Sequence, residues 1–351
     1  MTTVDFTERK RSRKQHPATS SAVQPTVAQS TLRPFHDGNP SPQRYLSVVC
    51  IFKDEGRHLD EWLAFCVAQG VDHFLLYDNG SSDNSREILR PWIASGIVEV
   101  IDWPVPWKSG AQVKAYADAL SRLRGRTKWA AFIDVDEFLF SPAHATLDQA
   151  LRAYHGRAGV VVNWQCYGSS GHRDSPAGLT IESFTRRART CWARNERVKT
   201  IVDPWLATRP RGPHLFDVLP GQSLVTEDFR PVRVVRDMPW RRALRYLTAW
   251  FPYLPVDPYG RLRPSTRQVS VSQLRINHYV TRSLSERPLK YKDRHTMADR
   301  DRNLHWRYHD RNEVEDPVLA PQAARVRQII LWVRSGLSGL APATRAVARR
   351  P

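Results

Sequence analysis

The stretch that decides the fold is WAAFIDVDEFLF, Trp129 to Phe140. An apolar run carries Asp134, Asp136 and Glu137 and then turns apolar again. Carboxylates at the end of a buried strand are costly unless they are paired or hold a metal. In an extended chain, residues two apart share a face. This predicts that Asp134 and Asp136 lie together, with Val135 opposite. Two carboxylates on one edge suit a hard divalent cation, Mg²⁺ or Mn²⁺, whose shell is completed by water and substrate phosphates. The plain alternative is an acidic turn that merely ends a strand, because the motif is short.

Upstream of that stretch a rhythm is visible. YLSVVCIF (residues 45–52) reads as a buried strand. LDEWLAFCVAQG reads as a helix with Leu59, Trp62, Leu63, Cys66 and Val67 on one face and Gly70 as its stop. A strand VDHFLLYD, a capped helix SSDNSREILRPW, a strand GIVEVIDW and a helix GAQVKAYADALSRLRG follow, and KWAAFIDV is the fourth strand. This alternation predicts an α/β fold, a mostly parallel sheet with right-handed helical crossovers. Ligands of such sheets gather outside the carboxyl ends of the strands. Those ends carry Lys53, Asp54 and Glu55, then Asp78 and Asn79, then Asp102 and Trp103, then Asp134 and Asp136. Asp78 is placed to accept from a base or ribose, and Gly80 permits a close backbone approach. AGVVVNWQCYG reads as one more strand, after which the chain is rich in Arg, Pro and Trp and reads as loop-rich.

Composition bounds the rest. The 351 residues carry 53 Lys and Arg against 35 Asp and Glu, a formal charge of +18. That excess points to an anionic partner: nucleic acid, a membrane surface or phosphate-bearing small molecules. The 4 cysteines form no C-x-x-C pair, so reduced, mostly buried thiols are expected rather than a zinc cluster or disulfide scaffold. Residues 1–43, rich in Ser, Thr, Pro, Gln and basic groups, read as a disordered basic arm without the apolar core of a secretory signal. No run approaches ~20 apolar residues, so no spanning helix is expected. Residues 44–316 read as one domain, 44–165 the half that carries the candidate nucleotide and metal residues and 166–316 a loop-rich half. Residues 317–351 read as a basic amphipathic helix and tail, with Val326, Ile329, Ile330 and Val333 on one face. The expected location is cytoplasmic, with peripheral contact at an anionic inner membrane face open to that helix.

The segments VVCIFKDEGRHLDEWLAFCVAQGVDHFLLYDNGSSDN, WAAFIDVDEFL, VNWQCYGSSGH, RVKTIVDP and INHYVTRS, in that order, resemble glycosyltransferase family 92, a relative of the family 2 enzymes with the GT-A fold. The resemblance spans Tyr45 to Asp316. It implies a GT-A-like sheet, a nucleotide-sugar donor (usually a UDP-sugar), Mn²⁺ or Mg²⁺, and transfer with inversion to a carbohydrate or glycoconjugate acceptor. It assigns the metal to Asp134, Asp136 and His278, with Asp136 the direct ligand. On the donor side it places Lys53, Glu55, Asp78, Asn79, Asp83, Gln112, Asp134, Lys199 and Arg282. Asp54 stands where relatives carry Asn, and Arg282 where they often carry Lys, which keeps the charge but changes its geometry. Lys290 is a further candidate for the diphosphate, and Gly168 to His172 resembles the segment lining the sugar or acceptor side. For the base that takes the acceptor proton, VTEDF offers Asp228 and Glu227, with Asp174 and Glu182 as other candidates.

Two other classes compete. A metal-dependent phosphatase or phosphotransferase also uses D-x-D after an apolar strand, but usually after the first strand. A non-enzymatic nucleic-acid binder would use the basic and aromatic residues, yet no zinc finger or RRM signature is present and no nucleic acid is expected. No P-loop and no G-x-G-x-x-G after the first strand are found.

Overall fold

A computed structural model describes residues 42–232, 266, 268–286 and 299–336, with only the backbone of 299–302. The expected basic arm up to residue 41, Lys290 and the tail beyond 336 lie outside the described residues. The chain begins with β1 (Arg44–Phe52), α1 (Gly56–Ala68), β2 (His73–Asp78), α2 (Ser85–Ala94), β3 (Val98–Asp102), α3 (Ala111–Leu123) and β4 (Thr127–Phe132). It continues through β5 (Glu137–Phe140), α4 (Leu147–Leu151), β6 (Gly159–Cys166), α5 (Thr180–Ser183), β7 (Arg186–Arg187), β8 (Val198–Val202), β9 (Ala207–Pro210), β10 (Phe216–Val218) and β11 (Leu224–Thr226). The last elements are β12 (Arg275–His278), α6 (Asp299–His309), β13 (Val314–Glu315) and α7 (Ala323–Arg334).

The main sheet runs in the order β3-β2-β1-β4-β8-β6-β12-β5, with β11 added beside β6. Strands β1 to β4 pair in parallel, as their helical crossovers require. β8 lies antiparallel to both β4 and β6, and β5 antiparallel to β12. This is the expected α/β, GT-A-like arrangement: a mostly parallel sheet flanked by helices.

Period-two alternation explains why β1 reads as a continuous apolar run. Leu46, Val48, Cys50 and Phe52 pack into one core with α1, α2 and α7, while Val49 and Ile51 face the other, where α3 supplies Ala115, Tyr116 and Leu120. Each fully buried large side chain contributes about 1.5–3 kcal/mol. The predicted face of α1 is buried, and so is most of its other side, because α7 packs on it. Val326 and Val333 of α7 are buried and Ile329 and Ile330 partly so, as their spacing predicts. Two of its arginines are engaged within the chain, Arg327 by Glu182 and Arg334 by Asp60. Cys50, Cys66 and Cys166 are buried thiols and Cys191 is exposed, all unpaired. Among the described residues no helix is long and apolar enough to cross a membrane.

Register places the site. Phe52, Asp78 and Asp102 stand level across β1, β2 and β3. β4 ends at Phe132, and the chain turns through Asp134 and Asp136 to enter β5. The two aspartates thus lie in the turn between the strands, while the residues that alternate with them, Ile133 and Val135, are buried. Ile133 and Val135 both enter the same core, and the turn between them gives each carboxylate its own partners.

Candidate active site

Asp134 stands at the centre of a charged cluster built by three elements. Its Oδ2 receives Lys199 Nζ from β8 at 2.8 Å. Its Oδ1 receives Gln112 Nε2 from α3 at 3.0 Å and the Tyr116 hydroxyl at 3.4 Å. The Asp134 amide donates to Glu137 Oε2 at 2.9 Å, and Lys199 Nζ lies 3.5 Å from the same oxygen. Burial alone would drive the Lys199 ammonium towards neutrality, but the charges of Asp134 and Glu137 outweigh it and hold it protonated. Burial pushes the Glu137 carboxyl up, and Asp134 and Asp136 add to the rise against the pull of Lys199. Asp134 remains 37% exposed although Lys199 and Glu137 are buried, so one face of its carboxylate is open to a ligand.

Asp136 has a different partner. Its Oδ2 lies 3.4 Å from His278 Nε2, at the end of β12. The Tyr279 amide donates to the Asp136 carbonyl at 2.9 Å and locks the two chain ends together. The His278 ring packs against Trp164 at 4.3 Å, and His214 stands on the same indole at 5.5 Å. Burial, with the charges of Lys199 and Arg197, pushes the His214 pKa far down, so this ring is neutral. One carboxylate oxygen and one imidazole nitrogen form a donor set that suits a divalent ion completed by water and phosphate oxygens. Of the three metal candidates the structure brings Asp136 and His278 together and puts Asp134 on Lys199. Among the described residues no group of three or more His, Cys, Asp or Glu side chains is arranged as a metal site.

A cleft of about 430 Å³ opens at the ends of β2 and β3, walled by Asp78, Gly80, Ser81, Arg86, Asp102 and Trp103. Asp78 Oδ1 accepts the Ser81 amide at 2.8 Å, and its Oδ2 accepts Arg86 Nε at 2.5 Å. Arg86 also pairs with Asp102, so it closes one side of the cleft. Gly80 has φ +78, and no atom lies within 4 Å of the point a Cβ would occupy, which leaves open space over that turn. Asn79 and Asp83 are not among the residues that line the cleft. Asn79 Nδ2 donates to the carbonyls of Trp103 and Val105 at 2.7 and 2.8 Å, tying down the loop after β3. Asp83 accepts the amides of Gly56 and Ser85 at 2.8 and 3.0 Å and so caps the starts of α1 and α2.

Lys53 is exposed at the end of β1. Glu55 lies 3.5 Å from Arg282 Nη1, and the Arg282 side chain is buried in a left-handed backbone turn with φ 52. These two are thus brought together as a pair beside the strand ends. The Gly168–His172 loop is tied to the segment after α6: Ser169 and Ser170 amides donate to Asp310 and Asn312 at 2.6 and 2.8 Å.

The pair expected to supply base chemistry stands apart. Glu227 is fully buried, and its carboxylate accepts the Leu274 amide at 2.9 Å, the Ser272 hydroxyl at 3.2 Å, and the Gln273 amide and Ser270 hydroxyl. It anchors the entry to β12 and has no side open to an acceptor, a correction to its expected role. Asp228 is held by the Thr226 hydroxyl and by Arg230. The Arg230 bond, against burial, draws its pKa down. These partners are not those of Asp134, Asp136 or His278. Glu182 receives the Leu179 amide at 2.8 Å as a helix cap, and Asp174 is exposed on its loop. Sequence reasoning missed Arg86, Tyr116 and His214. Arg86 and Tyr116 lie on helices at ordinary positions, and only the three-dimensional pairing marks them.

A mostly parallel sheet with acids, a histidine and an open cleft on its carboxyl edge defines the chain as an α/β protein whose polar groups converge on one side of the sheet. The chain belongs to glycosyltransferase family 92: the model of that family matches residues 47–250, more than half of it. A family 92 protein of Oryza sativa subsp. japonica is 30% identical over 188 residues, covering 52% of this chain and 31% of that protein. A galactan beta-1,4-galactosyltransferase of Arabidopsis thaliana is 32% identical over 121 residues, covering 32% of this chain and 21% of the relative. The chain thus spans about a third or less of the length of these curated relatives. Among solved structures, S. aureus TarS 1-349 in complex with UDP matches 61% of this chain and 67% of its own at 13% identity, with a TM-score of 0.35.

Proposed function

We propose that this protein transfers a sugar from a nucleotide-diphosphate-sugar to a hydroxyl of a carbohydrate acceptor, with inversion and with Mn²⁺ or Mg²⁺. The observation that carries the reading is the Asp136–His278 pair, 3.4 Å apart, on the sheet edge that also bears the Asp78 cleft. Asp136 and His278 would hold the cation, which when bound neutralises charge on the departing diphosphate. Asp134, aligned by Lys199 and Gln112, offers its exposed face to ribose hydroxyls. Asp78 and Trp103 border the space for the base. The galactan transferases among the relatives make UDP-galactose the first donor to test.

Thermal melting in UDP, with and without Mn²⁺, tests the reading on wild type and D136A. A ligand at about 100 times its Kd stabilises the folded state by about 2.7 kcal/mol. The expected result is a UDP shift that needs Mn²⁺ and vanishes in D136A. A wild type that ignores UDP with Mn²⁺, or a D136A that responds as wild type does, overturns it.

A further inference from the structure

We propose that a second cavity, between the start of α1, the 175–180 loop and α7, binds one neutral sugar ring of the acceptor. Calling that ligand the acceptor rests on the glycosyl-transfer reading; the cavity's chemistry does not. The cavity encloses about 220 Å³, and Arg57, His58, Glu286, Ala177, Phe184 and Ile330 are among the side chains on its wall. None of its lining residues belongs to the Asp78 cleft. It adjoins the strand ends all the same: His58 lies just past Glu55 on the chain, and Glu286 just past Arg282, the two residues that pair at 3.5 Å.

Three acids, Asp60, Glu61 and Glu286, line it with Arg57, and each already has partners in the chain: Asp60 pairs with Arg334, Glu61 accepts the Thr180 and Ile181 amides while burial pushes its pKa up, and Arg57 lies 3.9 Å from Glu286. Among the described lining residues no unmatched cation is left to hold a phosphate or carboxylate ligand. The polar groups are instead set to receive hydroxyls. Glu286 Oε1 lies 3.2 Å from His58 Nε2, and Oε2 accepts the Ser283 amide at 3.1 Å and its hydroxyl at 2.5 Å. A carboxylate has about four acceptor positions; Arg57 Nε stands 3.9 Å from Oε1, so the fourth lies beside that guanidinium and is the one a ligand O–H would take. Burial opposes ionisation of Glu286, but hydrogen bonds from His58 and Ser283 outweigh it and keep the group a carboxylate. Burial and the charge of Arg282 push the His58 pKa to about 4, so its ring is neutral; the nitrogen facing Glu286 donates to that carboxylate and the other is left to accept from a ligand hydroxyl. Phe184, Pro176 and Ile330 supply an apolar wall. A hydroxyl-binding edge facing an apolar wall matches a pyranose, which is polar at its rim and apolar on its C–H faces.

A glycan array of neutral, sialylated and phosphorylated oligosaccharides, probed with the full chain, tests this. Ala177 is exposed on the cavity mouth, so A177W blocks entry without removing a buried bond. E286Q removes the charge and keeps the shape. Wild type should capture neutral glycans, and both variants should lose capture by about tenfold or more. Both should keep the wild-type melting response to UDP and Mn²⁺. Failure to capture any neutral glycan, capture of acidic glycans alone, or undiminished capture by A177W overturns the proposal. Neutral-glycan capture lost in A177W, in a protein that ignores UDP, upholds the cavity and overturns the transferase reading instead.

Discussion

Lys199 Nζ sits 2.8 Å from Asp134 Oδ2 and 3.5 Å from Glu137 Oε2, with its side chain 1% exposed. β8 runs antiparallel beside β4 and carries this lysine 65 residues along the chain to the acidic turn. A buried cation between two acids sets the geometry of the turn, because without it the carboxyl groups would face each other in a poorly solvated site.

K199M should therefore destabilise the fold by about 3–5 kcal/mol, the usual cost of leaving one partner of a buried pair unmatched. E137Q in the same background should recover part of that loss, since it removes one of the two acids. Urea unfolding of the two variants checks it. A K199M protein with the wild-type midpoint would show that the pair does not hold the turn.

Glu227 behaves as an anchor, so E227A should cost about 2–4 kcal/mol by orphaning the Gln273 and Leu274 amides. Its folded fraction should keep its turnover within about twofold. Removal of a general base would instead lower kcat by about 10²–10⁴-fold at little cost in stability. Stability and kcat measured on the same preparation separate the two.

Stability should fall as the pH drops from about 6.5 to about 4. Burial, helped by the charges of Arg44 and Arg126, pushes the His73 pKa from 6.5 to about 4. In that window the unfolded chain binds a proton that the folded one refuses, so stability rises with pH and is lost on acidification. The Ser47 hydroxyl at 3.1 Å and the Thr127 hydroxyl beyond it hold the neutral ring's neighbourhood. H73N should flatten this slope in melting curves taken between pH 7 and pH 5. An unchanged slope would assign the acid sensitivity elsewhere.

At the turn before α1, D54N should be nearly neutral and G56A harmful. Asp54 holds φ 53, a conformation Asn also tolerates, and its Oδ1 accepts the Ser82 and Asp83 amides at 2.6 and 3.1 Å, which an amide oxygen can do. A Cβ on Gly56 would meet Asn84 Oδ1 at 2.2 Å and the Ser85 nitrogen at 2.9 Å. G56A should cost about 1–3 kcal/mol through forced backbone shifts. Melting temperatures of the two variants should differ in that order.

Much of the scaffold was legible. Short continuous apolar runs at Tyr45–Phe52, His73–Asp78 and Trp129–Phe132, with helical spacing between them, sufficed to predict a parallel sheet with ligand groups on one edge. The acids of the turn and His278 were legible because a charge at the end of an apolar run is chemically conspicuous. Asp60 and Glu61 were not: they lie off the apolar face that the spacing of the helix picks out. In the fold α7 covers that side, Asp60 bonds Trp92 Nε1 at 2.8 Å and pairs with Arg334, and Glu61 receives the Thr180 and Ile181 amides at 2.8 and 3.0 Å.

By itself, then, the sequence determined the alternating elements of the first half, the handed crossovers between them and the edge on which the polar strand ends collect. These follow from local periodicity and backbone sterics, which act within a few residues. Only the tertiary structure decided that Asp134 pairs with Lys199 while Asp136 pairs with His278, that Glu227 anchors β12, and that Glu286 reaches His58. Those choices depend on the register of strands and loops far apart in the chain, and a side chain's partner is set by that register, not by its neighbours in sequence.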